Sequence, residues 1–210
     1  MMKKMIFLLL LLVSQLFAEA SKELEGWYVG AGFGRTYSLT TFMKDGTFSD
    51  DFVQGSGKFS MLNYLAYDFS YALSAGYQLN KVIAVEFDVV DYGNLQDDLY
   101  SQMPVSASIN ANLGYNFFEN QFRPFVLLGL GYMDTKGNHN SLSNNLFVLH
   151  SGYGMEVYPK DLKGFGFRFL AQSDLSFKGE GRYLIESQNY QVDMLIRIYA
   201  SYTLGVLYKF

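Results

Sequence analysis

The residue types that carry out nucleophilic or metal chemistry are scarce in this chain of 210 residues. It contains two histidines and no cysteine, and its carboxylates are scattered without the spacing of metal ligands. His150, Ser151 and Glu156 are close enough in sequence to suggest hydrolysis. Neighbouring residues of one strand point to opposite faces, however, so His150 could not activate Ser151. We therefore predict no catalytic residue, no cofactor and no metal site.

Nucleotide and nucleic-acid binding are also disfavoured. Glycines stand at positions 30, 32 and 34, but the dinucleotide-binding motif requires a glycine where Arg35 stands, followed by a helix. The net charge is −4, and no cluster of Lys and Arg other than Lys3 and Lys4 is present to contact phosphates. The alternating glycines instead predict one face of a strand without side chains, which leaves room for larger residues opposite. No nucleic-acid partner is expected.

The first twenty residues have the features of a secretory signal peptide. Lys3-Lys4 precede an apolar run, Met5–Val13, and small residues follow at Ala18 and Ala20. The apolar run is too short for a spanning helix, which needs about 20 apolar residues. We therefore predict export and cleavage after Ala20 or Ala18.

The elements that must position the remaining polar residues follow a period of two. In Leu65–Leu79 and Val105–Phe117, apolar and aromatic residues occupy the odd positions and small or polar residues the even ones. Such alternation gives each strand one apolar face and one polar face. The same template predicts eight strands: Trp27–Leu39, Leu65–Leu79, Val82–Val90, Val105–Phe117, Pro124–Met133, Leu146–Tyr158, Phe165–Leu175 and Met194–Phe210.

Strand length and connection length favour a membrane barrel over a soluble sandwich, which would also alternate. Several predicted strands exceed the usual 5 or 6 residues, and tilted membrane strands need about 9 to 11. Short and long connections also alternate, as in outer-membrane barrels. The short ones are Asn80-Lys81, Phe118–Arg123 and Pro159–Gly164, and the long ones are 40–64, 91–104, 134–145 and 176–193. We predict that 21–210 is a single all-β domain, a closed antiparallel eight-stranded transmembrane up-and-down barrel with a polar interior and aromatic girdles.

The end of the chain resembles the C-terminal assembly signal of outer-membrane barrels. That signal combines a polar residue, a glycine and two hydrophobic positions, of which the last is a terminal Phe. Thr203, Gly205, Tyr208 and Phe210 fit all four positions. The resemblance implies recognition by the barrel assembly machinery and a location in the bacterial outer membrane, among lipid and lipopolysaccharide.

Two further segments resemble small OmpA-type outer-membrane barrels. Gly26–Gly34 is similar to the first strand of that family, and Arg123–Tyr132 is similar to its fifth strand. Longer members carry a periplasmic peptidoglycan-binding domain, and we expect none after Phe210. The family resemblance implies a non-enzymatic protein that stabilises the envelope or presents its surface loops.

The alternation also predicts which charges point into the barrel. With His150 beside them, these are Asp68, Glu86, Asp88, Glu156, Arg168, Asp174 and Arg197. A shift by one residue would place them in lipid, where an Arg at the midplane costs about 2–4 kcal/mol. Because Arg168, Glu86 and Glu156 all lie within a few residues of a short turn, they should share one end of the barrel, and we expect Arg168 to pair with Glu156, Glu86 or both. Arg197 is expected higher, near Asp68 or Asp174.

Three functions are compatible with the predicted barrel. An eight-stranded barrel is barely wider than its own side chains, which favours a salt-bridged plug over a narrow porin. Some such barrels are lipid A deacylases with a His-x-Ser-Asn motif. His139-Asn140-Ser141 matches only in part, because Leu142 replaces the Asn. The long loops are the remaining candidates for binding an external ligand or surface, and the first one is rich in apolar residues: Phe42, Met43, Phe48, Phe52, Phe59, Met61 and Leu62.

Overall fold

The computed structural model describes residues 25–43, 64–97, 100–136, 145–178, 181–185, 188–192 and 194–210. Within these residues the chain forms strands only, numbered here in chain order. They are β1 (Gly26–Met43), β2 (Tyr64–Gln78), β3 (Ile83–Asp91), β4 (Leu95–Asp97), β5 (Tyr100–Gln102), β6 (Val105–Gly114), β7 (Phe122–Asp134), β8 (Asn145–Val157), β9 (Phe165–Lys178), β10 (Gly181–Ile185), β11 (Gln188–Val192) and β12 (Met194–Lys209).

Eight of these strands close into one antiparallel barrel in the order β1, β2, β3, β6, β7, β8, β9 and β12. Each pairs with the next barrel strand along the chain, and β12 returns to β1, with Tyr28 opposite Lys209 and Met43 opposite Met194. The predicted all-β, up-and-down barrel of eight strands is therefore confirmed. Within the described ranges, no helix is long and apolar enough to cross a membrane.

The two remaining strand pairs, β4 with β5 and β10 with β11, are short hairpins. They lie in the connections 91–104 and 176–193, which were predicted as loops. The β2–β3, β6–β7 and β8–β9 connections define one end of the barrel, called here the turn end. The long connections define the opposite, loop end.

Side chains alternate strictly between the two faces of the wall. In β3, Val85 and Phe87 are exposed on the outside, while Ala84, Glu86 and Asp88 are buried inside. The pattern follows from the pleat of a strand, in which successive Cβ atoms point to opposite faces. The exposed face of the barrel is thus apolar and its enclosed face carries the charges, as the sequence predicted.

Aromatic rings gather on the outer wall at the turn end. Trp27 packs edge-on against Tyr77, with 5.1 Å between ring centroids. Tyr208 packs against Phe165 at 4.8 Å and against Phe210 at 5.0 Å. Amphipathic rings of this kind are enriched where a membrane meets water, so this belt corresponds to one of the predicted girdles.

The turn between β2 and β3 is held by one asparagine. Asn80 Oδ1 accepts hydrogen bonds from the backbone N–H groups of Val82 and Ile83, both at 2.8 Å. The Gln78 side chain donates to the Asn80 carbonyl at 2.7 Å. Asparagine suits this position because its short side chain can satisfy backbone donors two residues ahead.

The turn between β6 and β7 contains three consecutive residues with positive φ: Phe118 at 50°, Glu119 at 56° and Asn120 at 69°. Glu119 accepts a hydrogen bond of 2.5 Å from Lys160 in the neighbouring β8–β9 turn. This hydrogen bond and the Lys160 charge lower the pKa of Glu119 below its usual value. The two short turns are thus joined by an exposed ion pair.

Some observed strand ends differ from the predicted ones. β1 and β9 continue past Leu39 and Leu175, and β6 ends at Gly114 instead of Phe117. β7 begins at Phe122, so Arg123, predicted to lie in a turn, is a strand residue. β6 was predicted too long because alternation continues into residues that no longer pair along a full strand, whereas β1, β7 and β9 were predicted too short.

The interior contains an apolar cluster toward the loop end, whereas the sequence predicted a polar interior throughout. Inward side chains of β3, β7, β8 and β12 meet two residues of the β3–β6 connection in one buried cluster, called here the apolar cap. Its members are Val90, Tyr92, Leu95, Met133, Leu146, Val148 and Tyr199. The connection therefore folds inward and covers the barrel mouth.

Candidate functional site

Arg168 joins two glutamates across the interior near the turn end. Its Nη2 atom lies 2.8 Å from Glu86 Oε1 and 3.6 Å from Glu156 Oε1. Register explains the second contact, because Glu156 in β8 is directly opposite Arg168 in β9. Both Glu86 and Glu156 are the partners predicted from sequence. The Arg168 side chain is only 6% exposed, so the pair is shielded from solvent.

Arg123 is a second cation in this group, and the sequence reading missed it. Its Nη1 atom lies 3.5 Å from Glu156 Oε2, and Glu156 is also its cross-strand neighbour. The guanidinium carbons of Arg123 and Arg168 lie 5.7 Å and 4.5 Å from the ring centroid of Phe125. Alternation counted backwards from Phe125 would have placed Arg123 inside. We call Glu86, Arg123, Glu156 and Arg168 the charge layer.

Polar side chains also donate hydrogen bonds to the two glutamates. The Tyr28 hydroxyl donates to Glu86 Oε2, and Asn112 Nδ2 donates to the same oxygen at 3.1 Å. The Tyr158 hydroxyl donates to Glu156 Oε2 at 3.1 Å. Buried carboxylates need such partners, because an unpaired buried charge is strongly destabilising.

Asp88 lies one inward position further along β3 than Glu86. Its Oδ2 atom accepts a hydrogen bond of 2.6 Å from Asn110 Nδ2. Asn110 in turn donates to Ser108 at 3.0 Å. Asp88 is thus inside, as predicted, but it is bound by an amide and forms no ion pair with Arg168 within 4 Å.

A glycine on the strand between Tyr28 and Glu86 makes room for their contact. A Cβ at Gly76 would lie 2.4 Å from the Tyr28 ring, so Tyr28 reaches Glu86 only because Gly76 has no side chain. Gly30, Gly32 and Gly34 of β1 face inward, as predicted, since Val29, Ala31 and Phe33 on the other face are exposed. Small inward residues therefore admit the larger ones of β2, β3 and β9.

A second buried polar group lies nearer the loop end. His150 Nδ1 is 2.7 Å from Asp174 Oδ1, and the Tyr92 hydroxyl donates to Asp174 Oδ2 at 2.7 Å. Register places His150 directly opposite Asp174. Because Tyr92 belongs to the β3–β6 connection, this group fastens that connection to the barrel wall.

The expected contact of Arg197 with Asp68 or Asp174 is not formed. Arg197 is buried inside β12, as predicted, but neither carboxylate lies within 4 Å of it. Both oxygens of Asp174 are engaged by His150 and Tyr92. Asp68 accepts a hydrogen bond of 2.5 Å from the Asn94 backbone and so binds the β3–β6 connection instead.

The arrangement offers no catalytic triad in the part of the chain described. His150 is inside, whereas Ser151 is on the outer wall with its Oγ 3.0 Å from Ser173 Oγ. The His139-Asn140-Ser141 segment lies outside the described residues. Among those described, no three His, Asp or Glu side chains are grouped to hold a metal ion.

The predicted C-terminal signal lies along the seam between β12 and β1. Thr203 and Gly205 face inward, while Tyr208 and Phe210 belong to the aromatic belt on the outer wall. The Phe210 backbone N–H donates to the Trp27 carbonyl at 3.0 Å. The predicted signal peptide, with Ala18 and Ala20, and most of the apolar first loop lie outside the described residues.

Comparisons with known proteins agree with this architecture. The crystal structure of Neisserial surface protein A has a TM-score of 0.53 and 18% identity, over 88% of this chain and 97% of that one. AlkL, determined by solid-state NMR in lipid bilayers, has a TM-score of 0.51 and 13% identity, over 89% and 92% of the chains. OprG from Pseudomonas aeruginosa has a TM-score of 0.50 and 14% identity, over 88% and 96%. At these identities the likeness establishes the fold.

Among curated proteins, none matches this sequence. The family model for the outer membrane protein beta-barrel domain matches residues 5–210. That match spans nearly the whole sequence and agrees with the closed eight-stranded barrel. The chain therefore belongs to the family of outer membrane protein beta-barrel domains, which are located in the bacterial outer membrane.

Proposed function

We propose that this protein is a non-enzymatic outer-membrane barrel whose interior is closed, so that it stabilises the envelope or presents its loops. The observation that carries the proposal is the contact of Arg168 with both Glu86 and Glu156 across the interior. A planar guanidinium can bind two carboxylates while keeping its charge. The charge layer thus obstructs the interior near the turn end.

The apolar cap supports the same function at the other end. Tyr92 and Leu95 are almost fully buried among inward side chains of four barrel strands. An ion that entered there would exchange its hydration for mainly apolar side chains, which is costly. Two closures of different chemistry, one ionic and one apolar, therefore lie in series along the barrel axis.

A narrow porin is the second candidate, and one observation favours it. Between the charge layer and the apolar cap, several inward positions beside Asp88, His150 and Asp174 are occupied by uncharged polar side chains. They are Thr36, Ser70, Ser108, Gln172 and Ser201. A pore lined in this way could pass ions if Arg168 exchanged its partners, since rings of charged side chains also form selectivity filters.

Planar-bilayer conductance of the refolded chain distinguishes the two functions. We expect no discrete openings from wild-type protein that a heat-modifiability gel shows to be folded. Arg168→Ala is the test variant, and Lys160→Gln, which removes an exposed cation from a turn, is its control. Wild-type openings that change in Arg168→Ala but not in Lys160→Gln would establish the porin and reject the closed barrel.

The partners proposed for this barrel follow from its setting. Its apolar outer wall is suited to outer-membrane lipid and lipopolysaccharide, and Thr203, Gly205, Tyr208 and Phe210 match the signal read by the barrel assembly machinery. The loops 40–64, 91–104, 134–145 and 176–193 are the proposed contacts for an external ligand or surface. Since part of 91–104 covers the barrel mouth, we place this role mainly on the other three loops.

A further inference from the structure

One charged side chain on the lipid-facing wall has no role in the functions described so far. Arg35 points outward from β1, between Phe33 and Tyr37 on the same face. Among the outward-facing side chains described in the eight barrel strands, it is the only cation. The alternation of β1 requires this orientation, because Gly34 and Thr36 face the interior.

The depth of Arg35 in the bilayer can be estimated from the aromatic belt. Trp27 faces outward on the same strand and belongs to that belt at the turn end. With a rise of about 3.3 Å per residue and a tilt of about 40°, Arg35 lies about 20 Å above Trp27. The apolar band of such barrels is about 25 Å tall, so Arg35 is close to its external edge.

Aromatic side chains hold Arg35 against the wall. Its guanidinium carbon lies 5.0 Å from the ring centroid of Phe69, which is its cross-strand neighbour in β2. Its neighbour in β12 is Tyr202, which packs edge-on against Tyr37 with 6.2 Å between centroids. A guanidinium stacked on a ring keeps its N–H groups free at the edge, where they can bind an oxyanion.

A groove on the outer wall begins beside this cation, at Tyr202. It encloses about 510 Å³ across β7, β8, β9 and β12. Its floor consists of small side chains, Ser151, Ala171, Ser173 and Ala200, between larger ones. The groove lies within the apolar band, where an acyl chain is the natural occupant.

We propose that Arg35 and this groove bind one phosphate-bearing lipid of the outer leaflet, of the lipid A class. The phosphate accepts hydrogen bonds from the guanidinium, and an acyl chain lies in the groove. A cation beside an apolar groove matches an anionic lipid, because a phosphate and an acyl chain are joined in one molecule. A second copy of the chain is the alternative occupant, since Asp91 and Asp134 are outward carboxylates at the loop end of the barrel, and the experiment below distinguishes the two. The proposal rests on the outer-membrane location and is independent of whether the interior conducts.

Native mass spectrometry of the refolded chain in detergent micelles tests the site with two probes. These are bis-phosphorylated lipid A and the same lipid with both phosphates removed. We expect wild-type protein to retain the phosphorylated form more tightly. Arg35→Gln should weaken its retention about tenfold, as expected for the loss of one charge-assisted contact. Arg35→Lys should restore part of it, and Ala200→Phe should weaken retention of both lipids by filling the groove.

Lys160→Gln serves as the matched control, because it removes an exposed cation from a turn at the other end of the barrel. Equal retention of the two lipids by wild-type protein would overturn the proposal, even if Arg35→Gln failed to fold. Unchanged retention of phosphorylated lipid by folded Arg35→Gln would also overturn it. Dimers that form without lipid and disappear in Arg35→Gln would identify a second copy as the occupant instead.

Discussion

Arg168 is shared by two buried glutamates, Glu86 and Glu156. It is the cation closest to Glu86, whose carboxylate is fully buried. Removing one partner of a buried ion pair leaves an uncompensated charge, which is more destabilising than replacing both partners. The charge layer should therefore tolerate coordinated changes better than single ones.

Replacing Arg168 with Met should lower the free energy of unfolding by about 3–5 kcal/mol, because Glu86 would be left without its cation. The double variant Arg168→Met with Glu86→Gln should recover part of this loss, since the buried negative charge is removed as well. Urea unfolding of the refolded proteins in lipid vesicles, followed by circular dichroism, measures both changes.

Lys160→Met is the control for this pair of variants. It breaks the ion pair with Glu119, which is exposed and therefore contributes little to stability. If the double variant were no more stable than Arg168→Met alone, Glu86 would not depend on Arg168 for its charge, and the described coupling would be wrong.

For individual residues, the alternation in the sequence predicted which members of the charge layer face inward, provided that they lie well inside a strand. Glu86, Glu156 and Arg168 were placed correctly because apolar outward neighbours fix their orientation. Arg123 was missed because it stands at the second residue of β7, where turn and strand look alike in sequence. The expected contact of Arg197 with Asp174 was wrong, because Tyr92 reaches Asp174 from a connection that has no periodicity.

Among the described glycines, Gly34 in the seam between β1 and β12 leaves the least room for a side chain. A Cβ at Gly34 would lie 1.7 Å from the Tyr202 carbonyl oxygen, whereas a Cβ at Gly32 would meet nothing nearer than 3.4 Å. The two glycines are two residues apart on the same face of one strand. They therefore form a matched pair for testing how tightly the seam is packed.

Gly34→Ala should destabilise the barrel by about 1–3 kcal/mol, because the added methyl group forces the two backbones apart. Gly32→Ala should leave stability nearly unchanged. Heat-modifiability gels at increasing temperature compare the folded fractions of the two variants. Equal behaviour of the two would contradict the close approach at Gly34.

The connections show what periodicity cannot predict at the scale of elements. The eight barrel strands were found because two faces in different surroundings impose alternation over many residues. The hairpins β4–β5 and β10–β11 have only three and five residues per strand, too few for a pattern to emerge. The apolar cap was missed for a related reason. Val90, Met133 and Val148 resemble outward residues in type, and only their register places them inside.

In the whole molecule, the barrel closes only when the first strand of the chain pairs with the last. β1 must pair with β12 along its length, although they are the first and the last strands in the sequence. Contacts of such high sequence separation form late, because loop closure must precede them. In a cell, a C-terminal strand recognised by an assembly machinery would shorten this search.

Phe210→Ala tests this role of the C-terminus. The Phe210 ring is 72% exposed, so its loss should affect the stability of the folded barrel only slightly. The amount of folded protein in the outer membrane of cells should nevertheless fall several-fold, while refolding into detergent micelles should be largely retained. Fractionation and heat-modifiability gels measure the two quantities.

Phe118→Ala is the matched control, since Phe118 is similarly exposed, at 75%, but lies in a turn. Its amount in the membrane should be close to that of the unaltered protein. A parallel loss of assembly in cells and of refolding in micelles for Phe210→Ala would show that this ring acts through stability alone.

The position of Trp27 gives the chain its own spectroscopic probe. It is the only tryptophan, its ring is 63% exposed on the outer wall, and its carbonyl accepts the hydrogen bond from Phe210. Its emission therefore changes both when the wall reaches lipid and when the first and last strands meet. Lipids that quench indole at defined depths would separate these two events in time, without any label being attached to the protein.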